Sequence, residues 1–448
     1  MWSGDNDGFG NFNGCTSLDT VTFGEGITKI PNSLFYTCEG LTHIEIPNTV
    51  TEVGNLAFRR CLNLKNVTIP DSVSVINSKA FDHTAIESIN IPDSVVSIGD
   101  SAFAGCENLR SVNLSTSVTE IGAQAFAHCT SLTEIELPEG LAYLGGSASR
   151  GSGGAFMGCS SLSHINIPAS LEYSYDYHYS SWSGDNDGYG NFNGCTSLDT
   201  VTFGEGITKI PNSLFYTCEG LTHIEIPNTV TEIGKIAFRR CSNLKTVTIG
   251  EQCVSLGYQA FNHSGIETIT IPDSVTSYGE KLFTNCSNLK SVRLSSNCLS
   301  IPVSTFYGCS SLESIEIPDG VTEIKNDTFN GCSSLKILTL PDTVTKIGND
   351  AFKGCTALTD LTWMPNTVTS VGNNAFENCT GLTSVKLPDL VSGLGGNTFK
   401  GCANLTSFKG GTNLKTIGTN CFRDSALTRE KREQKNLPIC GGLCDNND

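Results

Sequence analysis

The sequence predicts an α/β-type repeat solenoid, with about 18 repeats of about 23 residues and a parallel β-sheet on one face. Three observations support this prediction. A phenylalanine recurs along the chain, and 12 of the 17 gaps between successive copies are 23 residues long. A cysteine follows 15 of these phenylalanines by three positions. Ahead of them, apolar and polar residues alternate, which is the pattern of a strand with one buried face.

The strand of each unit comes first, as in LTHIEIPNTVTEVGNLAFRRC at residues 41–61. Ile44 and Ile46 are expected to point inward, and His43 and Glu45 outward. The proline that follows ends the strand, because it has no N–H for the next ladder bond. A second apolar pair and an Ala-Phe dipeptide then return the chain to the interior. One unit is too short to bury these residues alone, so neighbouring units are expected to stack.

Three units depart from the standard length. Those that begin at Phe81 and Phe261 are 22 residues long and lack the cysteine. The unit of 24 residues contains the sequence LTWMP at residues 361–365, where we expect a bulged strand.

A block of 180 residues is duplicated, and 56 of the first 60 positions are identical in its two copies. We expect a single solenoid at 1–428, with duplicated blocks at 2–181 and 182–361, followed by a polar C-terminal cap or tail at 429–448. The first residues of the chain match only the second half of the segment 174–195. Two explanations stay open: the chain begins inside a longer parent sequence, or it begins at a start site that lost the missing part, and a signal peptide could have been lost with that part.

The composition excludes several function classes. The net charge of −17 repels phosphate, so nucleic acid is not expected as a partner. No apolar run approaches the roughly 20 residues of a membrane span, so direct membrane insertion is not expected. With no nucleophile elbow, phosphate-binding loop or HExxH motif, we expect no enzyme activity and no cofactor. The repeated stretch SGDNDG begins like a calcium loop but lacks the glutamate of the twelfth position, so no metal site is expected.

The cysteines that follow the phenylalanines are expected to form a ladder of buried free thiols. In stacked units their Cβ atoms point in parallel and lie too far apart for the geometry that a disulfide prefers. A regular ladder also does not converge on one point, as zinc ligands must. Cys440 and Cys444 lie outside the repeat and could form a disulfide in an oxidising compartment.

Two insertions interrupt the array, about seven residues within 141–159 and about 13 within 171–195. They occur at the same point of successive units and are expected to project from one edge. Two interpretations of the aromatic residues in the second insertion stay open. In the first, the insertion is a short hairpin and its aromatic rings cover the base of that hairpin. In the second, the rings contact a partner, because Tyr and Trp give a large contact area at low entropy cost.

The small polar side chains of the sheet face are interrupted by a few distinctive outward residues, which makes that face a second candidate surface. They are His43, Glu45, Glu134, Glu136 and Arg293. The candidate ligand-binding residues are Tyr173, Tyr175, Tyr177, Tyr179 and Trp182 of the insertion and His43, Glu45, His223 and Glu225 of the strands.

The motifs Leu-x-x-Ile-x-Ile-Pro, Val-x-x-Ile-Gly and Ala-Phe-x-x-Cys-x-x-Leu resemble the BspA-like class of leucine-rich repeats over nearly the whole chain. The resemblance implies a right-handed superhelix with a parallel sheet on one face. It also implies a secreted or cell-surface protein of a bacterium or protist. Members of the class resemble adhesins that bind host extracellular matrix proteins or other cells.

Two functions are consistent with these features. The first is a non-enzymatic surface interaction module, with adhesin-like binding of a protein or glycan ligand. The second is a structural stalk or spacer that displays other domains of a longer parent protein. Local clusters of distinctive residues on the outer surface favour binding, whereas uniformly small residues favour a spacer. The ligand and the oligomeric state are not determined by the sequence.

Overall fold

The computed structural model describes residues 11–145, 153–174 and 190–427. The chain divides into two compact units, Met1–Ile224 and Glu225–Asp448. Most turns contribute two short strands. Strands in the Leu-x-x-Ile-x-Ile-Pro segment form a primary row, and strands in the Val-x-x-Ile-Gly segment form a secondary row.

The first unit contains both rows. Its primary row comprises β2 (His43–Glu45), β4 (Asn66–Thr68), β6 (Ser88–Asn90), β8 (Ser111–Asn113), β10 (Glu134–Ile135), β12 (His164–Ile167) and β14 (Thr200–Phe203). Its secondary row comprises β1 (Lys29–Ile30), β3 (Glu52–Val53), β5 (Val75–Ile76), β7 (Ser97–Ile98), β9 (Glu120–Ile121), β11 (Tyr143–Leu144), β13 (Tyr173–Ser174) and β15 (Lys209–Ile210). Seven of these strands form a continuous sheet in the order β1-β3-β5-β7-β9-β11-β13, with parallel pairing throughout.

The second unit repeats this arrangement, and β16 (His223–Glu225) crosses the boundary between the units. The primary row comprises β18 (Thr246–Thr248), β20 (Thr268–Thr270), β22 (Ser291–Arg293), β23 (Ser314–Glu316), β25 (Ile337–Thr339), β28 (Ser384–Lys386) and β30 (Ser407–Lys409). The secondary row comprises β17 (Glu232–Ile233), β19 (Ser255–Leu256), β21 (Ser277–Tyr278), β24 (Glu323–Ile324), β26 (Lys346–Ile347), β27 (Ser370–Val371), β29 (Gly393–Leu394) and β31 (Thr416–Ile417).

The predicted repeat solenoid is confirmed, with about 16 turns. The predicted orientation of the first strand is also confirmed, because Ile44 and Ile46 are buried while His43 and Glu45 are exposed. The connections within the described residues are turns, without an α-helix. The sequence predicted one sheet, whereas most turns have a second strand. Two residues are too few for an alternating pattern to reveal that strand.

The recurring phenylalanines form a stack through the core of each unit. Ring centroids of successive residues lie between 5.2 and 5.8 Å apart, with nearly parallel planes. The stack continues across both insertions, from Phe126 to Phe156 at 5.6 Å and from Phe156 to Phe192 at 5.8 Å. The insertions therefore leave the core stacking of the first unit unchanged.

The LTWMP segment corrects one expectation, because residues 361–365 contain a turn and no bulged strand. The side chain of Asp360 accepts a hydrogen bond from the Thr362 backbone N–H at 2.9 Å, and its carbonyl accepts one from Trp363 Nε1 at 3.2 Å. These bonds close the turn locally, in place of a ladder to the neighbouring strands. The indole of Trp363 then packs against the phenylalanine stack, 5.1 Å from the ring of Phe352.

Candidate functional site

The described cysteines are free, and all except Cys15 are buried, as the sequence predicted. The thiols also have a role that the sequence did not reveal. In successive turns the Sγ atom donates a hydrogen bond to the backbone carbonyl of the phenylalanine one turn earlier, as from Cys61 to Phe35 at 3.1 Å and from Cys332 to Phe306 at 3.1 Å. Burial raises the pKa of the Cys61 thiol to about 12. Neutral, hydrogen-bonded thiols of this kind are structural and unreactive.

In the two shortened turns a hydroxyl occupies the position of the missing cysteine. Thr84 lies three residues after Phe81, and its Oγ1 donates to the Phe81 carbonyl at 3.0 Å. It also lies 3.2 Å from the Sγ of Cys106 in the next turn. Ser264 is placed in the same way, 3.3 Å from the Sγ of Cys286. The ladder of small polar donors therefore passes through turns that have no cysteine.

His43 and Glu45 lie far from Tyr173, the tyrosine candidate that the structure describes. His43 and Glu45 lie on β2, where their neighbours on β4 are Asn66 and Thr68. Tyr173 lies on β13, in the other row and about five turns away, or on the order of 25 Å at the usual strand spacing. His223 and Glu225 are exposed on β16. The pair of His43 and Glu45 and the residue Tyr173 are therefore separate candidate surfaces.

Most of the aromatic candidates lie outside the described residues, and the same is true of two cysteines and the C-terminal tail. These are Tyr175, Tyr177, Tyr179, Trp182, Cys440, Cys444 and residues 429–448. Within the described ranges, no three or more His, Cys, Asp or Glu side chains are grouped so that they could hold a metal ion. No helix in those ranges is long and apolar enough to cross a membrane.

The structure joins Tyr173 to a residue that the sequence analysis missed. Tyr143 and Tyr173 are direct partners in the parallel pairing of β11 with β13. Their rings stack with centroids 5.0 Å apart and planes inclined by 6°, and the residues remain 48% and 55% exposed. The sequence carried a signal for this pair, because LAYLGG and LEYSYD place a tyrosine at the same position of the two units with insertions.

The tyrosine pair lies at the end of an outward row in the secondary sheet of the first unit. The successive outward residues are Ser97, Glu120, Tyr143 and Tyr173, each paired with the next. Glu120 and Glu172 are exposed, and neither has an ion-pair partner among the described residues. The row thus places two aromatic rings beside uncompensated carboxylates.

A buried asparagine joins the chain on both sides of the insertions. Asn191 is fully buried, and its Nδ2 donates to Ser174 Oγ at 2.8 Å. Its Oδ1 accepts from the Ala155 N–H at 2.9 Å. Ser174 is the last described residue before the longer insertion, and Ala155 follows the shorter one. Asn191 therefore connects the described ends of both inserted segments. Tyr173 lies next to this connection, one residue before Ser174.

The second unit has a shallow groove of about 590 Å³ along its primary row, lined by strands β22, β23 and β25. Its most distinctive group is Arg293, whose Nη2 contacts both carboxylate oxygens of Asp273, at 3.1 and 3.0 Å. Ile337, two strands away on β25, is 66% exposed. The other outward residues of these strands are Ser291, Ser314, Glu316 and Thr339, so the groove offers hydroxyls, one exposed carboxylate and one already paired cation.

Known proteins place this architecture in context. The family model described as the BspA type leucine rich repeat region matches residues 8–109, 74–184, 188–290 and 299–428. A leucine-rich repeat protein from Bacteroides ovatus is 28% identical, covers 89% of this chain and 84% of its own, and has a TM-score of 0.56. A leucine rich cell surface protein from Faecalibacterium prausnitzii is 30% identical over 76% of this chain and 84% of its own, with a TM-score of 0.39. No curated protein is similar to the chain.

Proposed function

This chain belongs to the BspA-type leucine-rich repeat family, and we propose that it is a non-enzymatic interaction module of the cell surface or the secreted fraction. Leucine-rich repeat proteins generally bind proteins or other ligands, and the repeat fold is typically non-enzymatic. The finer proposal is adhesin-like binding of a protein or glycan ligand, with host extracellular matrix proteins as one partner class.

The exposed pair of Tyr143 and Tyr173 is the observation that carries this proposal. The outward positions of the same sheet otherwise hold small, aliphatic or charged residues. Stacked rings that remain about half exposed add little to the core, whereas they provide a rigid apolar surface for a partner. Both rings lie where an insertion begins, and the core stacking and strand register do not require either insertion.

The candidate contact surface is therefore the tyrosine pair together with the second insertion, which contains Tyr175, Tyr177, Tyr179 and Trp182. A second proposed contact surface lies on the strands and comprises His43, Glu45, His223 and Glu225. Binding of a ligand at these strand residues is the alternative to binding at the tyrosines.

Deletion of residues 176–187 tests the proposal. The deletion leaves Tyr173 and Ser174 in β13 and keeps Asn191, so the melting temperature is expected to change little. Binding to purified extracellular matrix proteins and to a glycan array is then compared with that of the full chain. The Glu45→Gln variant, which alters the other surface, is the matched control.

We expect the deletion to abolish capture of whichever ligand the full chain binds, with no effect of Glu45→Gln. The reverse pattern would move the site to the strand surface near β2. A full chain that binds none of the proteins or glycans would favour the stalk or spacer. Labelling of intact cells with an antibody against the chain, compared with permeabilised cells, tests the surface location.

A further inference from the structure

We infer that the tyrosine pair receives a lysine or arginine side chain from a basic segment of a partner protein. The site comprises the open face of Tyr143, the carboxylate of Glu120 and the space above Ser97. This inference rests on the proposed interaction function and names the chemistry of the partner at that surface.

The geometry turns one face of Tyr143 toward a carboxylate. The rings of Tyr143 and Tyr173 stack along the ladder direction, so Tyr173 covers one face of the Tyr143 ring. The other face points toward the preceding strand, whose direct partner position is Glu120. A cation above that face would contact the ring quadrupole and the carboxylate together, which is more favourable than either contact alone.

The next strand leaves room for such a side chain. Ser97 is the partner of Glu120 on β7, and its short side chain is half-buried. A lysine or arginine stem could therefore lie across Ser97 while its charged head reaches the tyrosine ring. A larger residue at this position would fill the same space.

The charge of the region favours a cation over a neutral ring. Glu120 and Glu172 have no ion-pair partner among the described residues, and the chain carries a net charge of −17. A sugar ring could stack on tyrosine, but it would leave the two carboxylates uncompensated. A basic peptide neutralises them, and the long-range field also accelerates its approach.

The fold already contains a contact of this type. The guanidinium carbon of Arg59 lies 5.7 Å from the ring centroid of Tyr36, and the same arginine pairs with Asp82 at 2.6 Å. Tyr36, Arg59 and Asp82 lie on three consecutive turns, so the arginine occupies the turn between the ring and the carboxylate. Glu120 and Tyr143 lie on directly adjacent turns, so a cation would reach their ring and carboxylate together from the solvent side.

Fluorescence anisotropy with a short labelled Gly-Arg repeat peptide tests the inference on the full chain. The neutral probe is the same peptide with citrulline in place of arginine. The variants are Tyr143→Ala with Tyr173→Ala, the same pair changed to Phe, and Glu120→Gln. Glu323→Gln is the charge control, because Glu323 holds the equivalent position of its repeat and is paired on β26 with Lys346 instead of a tyrosine.

We expect the double alanine variant to bind the arginine peptide about tenfold more weakly and the double phenylalanine variant to bind within about twofold of the original chain. Glu120→Gln should weaken binding about threefold, with no change for Glu323→Gln. Equal affinity of the double alanine variant, equal binding of the citrulline peptide, or equal weakening by both glutamine variants would each overturn the inference.

A glycan that binds in a tyrosine-dependent manner, without binding of the arginine peptide, would also overturn the inference and would leave the proposed interaction function intact. If the full chain bound none of the tested proteins, glycans or peptides, the result would instead contradict the proposed function. Thermal melting of each variant shows whether a loss of binding results from unfolding. If the double alanine variant is unstable, the double phenylalanine variant still tests the site, because it keeps both aromatic rings.

Discussion

The Sγ atom of Cys332 lies 3.1 Å from the backbone carbonyl oxygen of Phe306, one turn earlier in the solenoid. The same bond recurs along both units, so the cysteine and phenylalanine ladders act together. The phenylalanine rings fill the core. The cysteine thiols of the next turn donate hydrogen bonds to the backbone carbonyls of these phenylalanines. At the same position in the two shortened turns, Thr84 donates instead to the Phe81 carbonyl of its own turn, and Ser264 Oγ lies 3.3 Å from Cys286 Sγ.

Thiol protection is the first prediction. Buried, neutral and hydrogen-bonded thiols should not react with iodoacetamide at pH 8 without a reductant, whereas the exposed Cys15 should react in the native protein. Mass spectrometry of labelled peptides distinguishes the two classes. Peptides with Cys332 or Cys355 should be labelled only after denaturation in urea. Their rapid native labelling, or disulfides between neighbouring turns, would contradict this prediction.

Alkaline destabilisation is the second prediction. Burial raises the pKa of Cys61 to about 12 and that of Cys286 to about 11, both above the usual value for a thiol. The unfolded thiols therefore lose protons at lower pH than the folded ones. Their contribution to the free energy of unfolding is complete below about pH 9 and is lost as the pH rises toward 11 or 12.

The expected loss is about 1.4 kcal/mol per pH unit for each thiol in this range. Urea midpoints measured between pH 8 and pH 10.5 should show a steep fall. Cys61→Ser should make the fall of stability with pH less steep by the contribution of one thiol. This change in slope is expected whether or not the substitution alters the stability at pH 8. Parallel curves for the variant and the original chain would show that Cys61 ionises equally in both states.

Much of the solenoid could be predicted from the sequence because its core is periodic. The spacing of the phenylalanines and the alternation around Ile44 depend on strand geometry alone, and the structure has both. The second strand of each turn was missed because a strand of two residues has no visible alternation. The turn at Trp363 was missed because the local bonds to Asp360 compete with the ladder, and propensity does not decide that competition.

The candidate site could be predicted only in part, for a different reason. The insertion drew attention to Tyr173, but its partner Tyr143 is isolated in its own unit and becomes notable only through the pairing of β11 with β13. His43 and Glu45 were correctly placed outside, although exposure alone does not identify a binding surface. Asn191 was missed because a buried asparagine reads in the sequence as an ordinary turn residue.

Relief of backbone strain at Arg60 is the third prediction. Arg60 has a φ of +60°, and several other turns have glycine at the same position, including Gly105 and Gly331. A left-handed conformation costs about 1 kcal/mol or more for a residue with a Cβ, and part of that is offset by the greater freedom of unfolded glycine. Arg60→Gly should therefore raise the free energy of unfolding by about 0.5–1 kcal/mol, measured by urea denaturation.

The neighbouring arginine supplies the matched control for this change. Arg59 donates to Asp82 at 2.6 Å, and Asp82 is buried. Arg59→Gly should therefore destabilise the protein, since it removes the arginine from a buried carboxylate whose remaining side-chain partner is His83. A destabilised Arg60→Gly variant would show that the arginine side chain contributes more than the backbone conformation costs.

The anchoring of the inserted segments by Asn191 gives the last prediction. Asn191→Ala leaves the Ala155 N–H and the Ser174 hydroxyl without their described partner in a buried environment, which costs about 2–3 kcal/mol. Asn11 occupies the same position of the same GNFNGC sequence in the first copy of the duplication and is exposed, so Asn11→Ala should change stability by less than about 0.5 kcal/mol. Urea denaturation measures both values, and hydrogen exchange at residues 153–174 should increase only in Asn191→Ala. Equal effects of the two substitutions would show that the asparagine contributes through its local turn and does not anchor the insertions.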